Sequence, residues 1–181
     1  MGSPLSKDLI EKLDSARIHY GLYARAYVAA IALNRVPTDI DFLVADEDFD
    51  KLKTIFPNSS IKEDEIGAFL YPNDDHKIEF MSKAVVNIDD SHYEFKLTDL
   101  AWENISEIEI DGLKVKALNP ADTILLKAML QRESDKGKHD LEDIEALLKF
   151  VKIDKVYLSR RLDECRSDER LLKVLNKYNL L

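Results

Sequence analysis

Two aspartates, Asp39 and Asp41, stand two residues apart at the mouth of an apolar run made by Ile40 and Phe42-Leu43-Val44. β-Branched, aromatic and aliphatic residues favour a strand, and the far end of this one reads as buried. Side chains at i and i+2 leave a strand on one face, roughly 6–7 Å apart along it. The spacing therefore predicts Asp39 and Asp41 pointing one way and Ile40 and Phe42 pointing into the core. Two like charges that close repel and resist burial unless a cation sits between them. Mg²⁺ suits such a pair, being a hard ion that takes one or two carboxylates and completes its octahedron with water and substrate phosphates. A plain pair of solvent-facing acids at a strand start is the competing reading, and the residues around the pair have to decide.

The elements that must hold these aspartates are legible on both sides. Residues 5–17 carry apolar residues at Leu5, Leu9, Leu13 and Ala16 with charges between them, an amphipathic helix, for which Ser3-Pro4 reads as N-cap and first helical position. A far more apolar helix covers 23–33, then comes the strand 39–44, and Asp46 is placed to cap a third helix that Pro57 stops. Segments 68–71 and 77–81 flank the turn Pro72-Asn73-Asp74-Asp75, a hairpin signal. Segments 108–110 and 113–117 flank Asp111-Gly112, the strongest short hairpin signal in the chain. Asn119-Pro120 then starts a helix. Counting that one, four helices run to the end in outline, over 120–132, 140–151, 155–165 and 168–178, with Asp140, Asp154 and Ser167 as caps.

Composition bounds the answer. The 181 residues, 45% hydrophobic and 34% charged, describe a soluble globular chain of one domain or one domain with a helical appendage. No window reads as a membrane span or a secretory signal. Cys165 alone excludes an internal disulfide framework and a cysteine zinc site, so a reducing, cytoplasmic setting is expected. The net charge of −9 is uneven: residues 1–126 hold 13 Lys+Arg against 24 Asp+Glu, residues 127–181 hold 13 against 11. Such an acidic first part does not grip nucleic acid through phosphates by itself, but it accommodates a metal-loaded site.

A helix, then Arg35, then Thr38-Asp39-Ile40-Asp41, then a helix and a hairpin strand bearing Glu79 resembles the nucleotidyltransferase superfamily. The likeness is to small microbial members in which R-x-x-x-D-I-D precedes an apolar run. Lys127 to Arg132 and Lys138 to Ile144 resemble the K-x4-R and K-x-D-x-x-D-I helical segments of abortive-infection and toxin–antitoxin nucleotidyltransferases. Most of residues 20–150 is covered; 151–181 is not. The resemblance implies an α/β (α+β) fold, with a mixed sheet and flanking helices over 1–118 and a helical region over 119–181 packed on it.

It also implies nucleotidyl transfer, in which an acceptor hydroxyl attacks the α-phosphate of an NTP and pyrophosphate leaves. Two divalent ions, Mg²⁺ or Mn²⁺, would clamp the attacking and leaving oxygens about 3.5–4 Å apart. Asp39 and Asp41 would bridge both, and Glu79 would take the third place, where the family usually has aspartate. Lys127, or Arg35 from the other side, would neutralise the triphosphate. The acceptor is left open among RNA, protein and small molecule, with no membrane partner and with homodimer formation an open question. A catalytically weakened relative that binds a nucleotide or a protein is the alternative, motivated by two departures. Active members carry Gly-Gly or Gly-Ser about fifteen residues before the first aspartate, where this chain has Ala24-Arg25; either Gly21 serves instead or the phosphate cradle is degraded, with Arg25 substituting a guanidinium. The threonine that commonly stands two before that aspartate is shifted to Thr38, Pro37 taking its place, and Thr38 is carried as a nucleotide contact.

Other patterns fall short. His139-Asp140 lacks the further histidines of a metal phosphohydrolase, Lys136-Gly137-Lys138 lacks the rest of a phosphate loop, and Arg160-Arg161 reads as a solvated helix face.

Overall fold

The computed structural model describes residues 3–132 and 138–181; Lys136 and Gly137, of the short Lys-Gly-Lys sequence, lie outside them. Along the chain run α1 (Lys7–Ser15), β1 (Tyr20–Leu22), α2 (Ala24–Ile31), β2 (Ile40–Val44), α3 (Asp46–Ile55), β3 (Ser60–Glu63), β4 (Ala68–Tyr71), β5 (Ile78–Met81), β6 (Lys83–Ile88) and β7 (Ser91–Lys96). Then follow α4 (Asp99–Glu103), β8 (Ser106–Ile110), β9 (Leu113–Ala117), α5 (Pro120–Leu130), α6 (Asp140–Leu147), α7 (Lys155–Glu164) and α8 (Glu169–Lys177).

Seven strands make one mixed sheet in the order β3-β4-β5-β2-β1-β9-β8, and β6 with β7 makes a separate hairpin. β2 lies at the centre because nothing in it but Asp41 tolerates water: Ile40, Phe42, Leu43 and Val44 are wholly buried. It runs antiparallel to β1 and parallel to β5. The Phe42 and Phe80 rings stack across that parallel pair at 5.3 Å, fixing its register from the core side. Both predicted hairpins form, β4 with β5 and β8 with β9.

α5 is the buried helix that joins sheet and tail. Asn119 accepts from the Ala121 N–H at 3.0 Å, Pro120 occupies the first turn, and Ala121 through Met129 are buried throughout. α2, α6, α7 and α8 pack around it. Among the described residues, no helix is long and apolar enough to cross a membrane.

Several local expectations are corrected. The first helix is capped by Ser6, whose hydroxyl accepts from the Leu9 N–H, and not by Ser3. Ala45 holds the cap position of α3, and Asp46 joins Glu47 and Asp48 inside its first turn, where negative charge suits the helix dipole. His139, not Asp140, stands at the cap of α6, and Asp168, not Ser167, caps α8. Asp154 caps α7 as expected. Arg161 is no surface residue: it is 1% exposed, with Nε donating to Asp122 Oδ1 at 2.6 Å. β1, β3, β6, β7 and α4 are elements that the sequence pattern above does not predict.

Candidate active site

The parallel pairing of β2 with β5 sets Asp41 directly opposite Glu79. Both are partly buried, while Asp39, one residue before β2, is exposed. Ile40 and Phe42 alternate to the core side, as the spacing predicts. Two carboxylates facing each other across a ladder are costly, and Asp41 registers the cost. Burial, then the charges of Glu79 and Asp39, push its carboxyl from the usual 3.8 up to about 7, against the opposing charges of Lys127 and Lys138. Burial also raises Glu79, although the Tyr71 hydroxyl, donating to Glu79 Oε2 at 2.8 Å, favours its ionised form.

The end of β1 delivers the chain to this same place. The Tyr23 backbone N–H donates to the Asp41 carbonyl at 3.1 Å, and α2 starts immediately afterwards. Tyr23 supplies no side-chain cap, so the start of α2 has no side-chain acceptor from its cap residue. Ala24, where the family pattern has glycine, takes φ of +54°, a left-handed backbone that costs a residue with a Cβ. The turn is therefore glycine-like in conformation although the residue is alanine. Gly21 serves another purpose. It lies inside β1 opposite Leu43, and a Cβ there would stand 2.5 Å from Leu118 Cδ2.

A cationic network stands beside this turn. Arg25 Nη1 donates to both oxygens of Asp143, at 2.9 and 3.1 Å. Lys127 Nζ, 3% exposed, lies 2.7 Å from Asp143 Oδ2 and 3.1 Å from Asp140 Oδ1. Arg132 holds Asp140 from its backbone N–H at 2.9 Å and from Nε at 2.8 Å. Burial works upward on Asp140, but these hydrogen bonds and the Lys127 charge outweigh it and keep the carboxyl below its usual range. Two aspartates one helical turn apart on α6 thus gather three cations, from α2, from α5 and from Arg132, two residues past its end.

The structure brings Asp41 and Glu79 together and sets Lys127 where its charge reaches Asp41. Arg25 joins Lys127 through Asp143. Thr38 keeps company only with its neighbour, its hydroxyl 3.4 Å from Asp39 Oδ2. Arg35 is elsewhere: it lines a shallow groove with Asn34, Val36, Glu109 and Asp111 at the β8–β9 hairpin, the far edge of the sheet from β3. Among the described residues, no three His, Cys, Asp and Glu side chains are grouped as a ready-made metal cage. Sequence alone gives Tyr71 no role, and Asp140 and Asp143 enter it only as the two aspartates of the K-x-D-x-x-D-I resemblance, Asp140 also as a helix cap. The i, i+3 spacing of the two aspartates on one helix face was the available signal for them; for Tyr71 there was none, because its meeting with Glu79 depends on hairpin register.

The sequence profile of a family described as uncharacterised nucleotidyltransferase matches residues 21–181, and so runs through the 151–181 segment that the motifs left uncovered. Among solved structures, the chain is similar to ANT(2'')-Ia in complex with adenylyl-2''-tobramycin, with 12% identity, a TM-score of 0.54 and 94% of each chain covered. It is also similar to an antigenic nucleotidyltransferase-like protein from Paracoccidioides brasiliensis, with 18% identity, a TM-score of 0.53, and 97% of this chain and 89% of that one covered. At such identities the likeness is one of fold, and the fold is the nucleotidyltransferase one. No curated protein matches the chain.

Proposed function

The chain belongs to this nucleotidyltransferase family, and on that premise we propose that it is a metal-dependent enzyme transferring NMP from an NTP to an acceptor hydroxyl, acting in the cytoplasm. The observation that carries the reading is the cross-strand Asp41–Glu79 pair, with Asp39 at the strand's mouth. Its donors are all oxygen, and among the described residues no ion pair of its own cancels its mutual repulsion. Such a set fits Mg²⁺ or Mn²⁺, which need only one or two protein carboxylates when substrate phosphates and water complete the shell. Asp39, Asp41 and Glu79 would hold the ions. When bound, the ions supply the charge that polarises the phosphate and lowers the cost of ionising the acceptor hydroxyl.

The protein's own share is position and charge. The turn at Ala24 and the uncapped start of α2 present backbone N–H groups where a phosphate is favoured. Arg25 and Lys127 bring positive charge to the triphosphate side, with Asp143 holding both side chains in advance and Asp140 holding Lys127 as well. Thr38 and Arg35 are assigned to the nucleotide on the family pattern alone.

One observation favours a second reading, a weakened relative that binds without turning over. Arg25 and Lys127 are already spent on Asp143 and Asp140, and Ala24 keeps a Cβ at the cradle. Thermal melting with each NTP, with and without Mg²⁺ or Mn²⁺, separates the two. A ligand at about 100 times its Kd adds roughly 2.7 kcal/mol. The enzyme reading expects a shift that requires metal and NTP together and that disappears in Asp39→Asn/Asp41→Asn. A shift with NTP that ignores metal and survives that substitution supports the weakened relative, and no shift at millimolar NTP removes the enzyme reading.

A further inference from the structure

We infer that Tyr71, with His76 stacked on it, is the positioning residue for Glu79; this rests on the reading of Glu79 as the third metal carboxylate. β4 and β5 pair Leu70 with Phe80 and Phe69 with Met81, so the next step of the ladder sets Tyr71 beside Glu79. β5 in turn sets Glu79 opposite Asp41. Tyr71, Glu79 and Asp41 therefore form a row across three strands, on one face of the sheet. The Tyr71 hydroxyl donates to Glu79 Oε2 at 2.8 Å, which leaves Oε1 unclaimed by it.

The row answers a problem that the sequence poses. Glutamate has one more rotatable bond than the aspartate usual at this place, so its carboxylate sweeps a wider volume and loses more freedom when fixed. A donor on one oxygen removes that freedom. The ring that carries the hydroxyl is itself held. The His76 ring stacks on it with centroids 4.4 Å apart and planes 19° from parallel, and His76 sits at φ +53° where the turn folds back. Hydrogen-bond partners of metal ligands orient the ligand, and removing them typically costs about 10- to 100-fold in metal affinity.

The test is Mn²⁺ affinity, read by electron paramagnetic resonance in the presence of a non-hydrolysable NTP analogue, for wild type, Tyr71→Phe, Glu79→Asp and the double variant, with the ligand-free melting temperature of each. Tyr71→Phe is expected to weaken Mn²⁺ about tenfold while melting within a few degrees of wild type. His76→Ala should do the same to a smaller extent. In the Glu79→Asp background, where the shorter carboxylate no longer meets the hydroxyl, Tyr71→Phe should change Mn²⁺ affinity by less than about twofold. A merely structural tyrosine would lower the melting temperature equally in both backgrounds and leave Mn²⁺ affinity alone. Undiminished binding by Tyr71→Phe, or an equal loss in both backgrounds, overturns this assignment and leaves the metal reading intact. A wild type that binds no Mn²⁺ beside the analogue overturns both.

Discussion

Asp122 and Asp41 are both carboxylates withdrawn from water, yet the chain surrounds them in opposite ways. Asp122, wholly buried on α5, is met from α7 by Tyr157 Oη and Arg161 Nε, each donating at 2.6 Å. Arg161 then donates onward to Thr98 Oγ1 at 2.9 Å, to the Lys96 carbonyl at 3.1 Å and to Glu164. Burial opposes its charge, but the Asp122 carboxylate outweighs that and holds the guanidinium more firmly protonated than usual. Every member of that cluster is satisfied within the chain. Asp41 faces a second carboxylate instead, and Lys127, whose charge reaches it, is engaged with Asp140 and Asp143. The first arrangement ties α7 to α5 and to the end of β7; the second leaves two carboxylates facing each other, where the proposed metal would sit.

Opposite signs of response to substitution follow. Arg161→Met should be the most damaging single change, since it strands a buried carboxylate, at a cost of about 3–5 kcal/mol. Chemical denaturation reads it; a loss below 1 kcal/mol would mean that the cluster is decorative. Asp41→Asn should raise the stability of the ligand-free protein, because it removes like-charge repulsion across β2 and β5. The gain is on the order of 1–2 kcal/mol, and any metal- and NTP-dependent melting shift should vanish with it. Lower ligand-free stability in Asp41→Asn would erase the contrast with Asp122.

Asp140 sharpens the comparison through pH. Its carboxyl is held below the usual range by Arg132 and Lys127. A depressed folded-state value gives stability that is fully present above the unfolded-state value near 4 and is lost as pH falls through the lower, folded one. Acid denaturation of wild type should therefore include a loss below about pH 4 that Asp140→Asn lacks. If the two acid profiles run parallel, the carboxylate is not titrating against those cations.

How much of this was legible depended on whether a residue's partner lay on its own element. The apolar run after Asp41 identifies a buried strand, a reading local to that strand, and the alternation of Ile78, Glu79 and Phe80, equally local, matches their burial in β5. That β5 lies beside β2 in parallel is a matter of topology, which no spacing in either strand carries. Arg161 failed for the same reason. A charged residue on a helix with solvated neighbours is usually exposed, and only the approach of α5 with Asp122 reverses that. β1 is three residues long and β3 is exposed along its length, so neither offers a period to read. β6 does offer one, with Ala84 and Val86 buried alternately ahead of the Asp89-Asp90 turn.

Ala24 gives the smallest effect and the closest test of whether the site is degraded or merely unusual. Its φ of +54° is a conformation that a Cβ disfavours by roughly 1–2 kcal/mol. Glycine would relieve that but would gain freedom in the unfolded chain, an offset of about 0.4–1 kcal/mol. Ala24→Gly should therefore stabilise the protein by on the order of 0.5 kcal/mol, a shift of one or two degrees in melting temperature. The informative quantity is NTP affinity. If the backbone at Ala24 already cradles phosphate, removing the Cβ lets the ligand approach more closely, and binding should tighten several-fold with no change in metal requirement. If Arg25 clasped to Asp143 has replaced the cradle, glycine at position 24 changes stability alone, and Arg25→Ala rather than Ala24→Gly becomes the substitution that moves NTP binding. An alanine kept in a glycine's conformation is then a relic of the turn, and the nucleotide is held by side chains where its relatives use backbone.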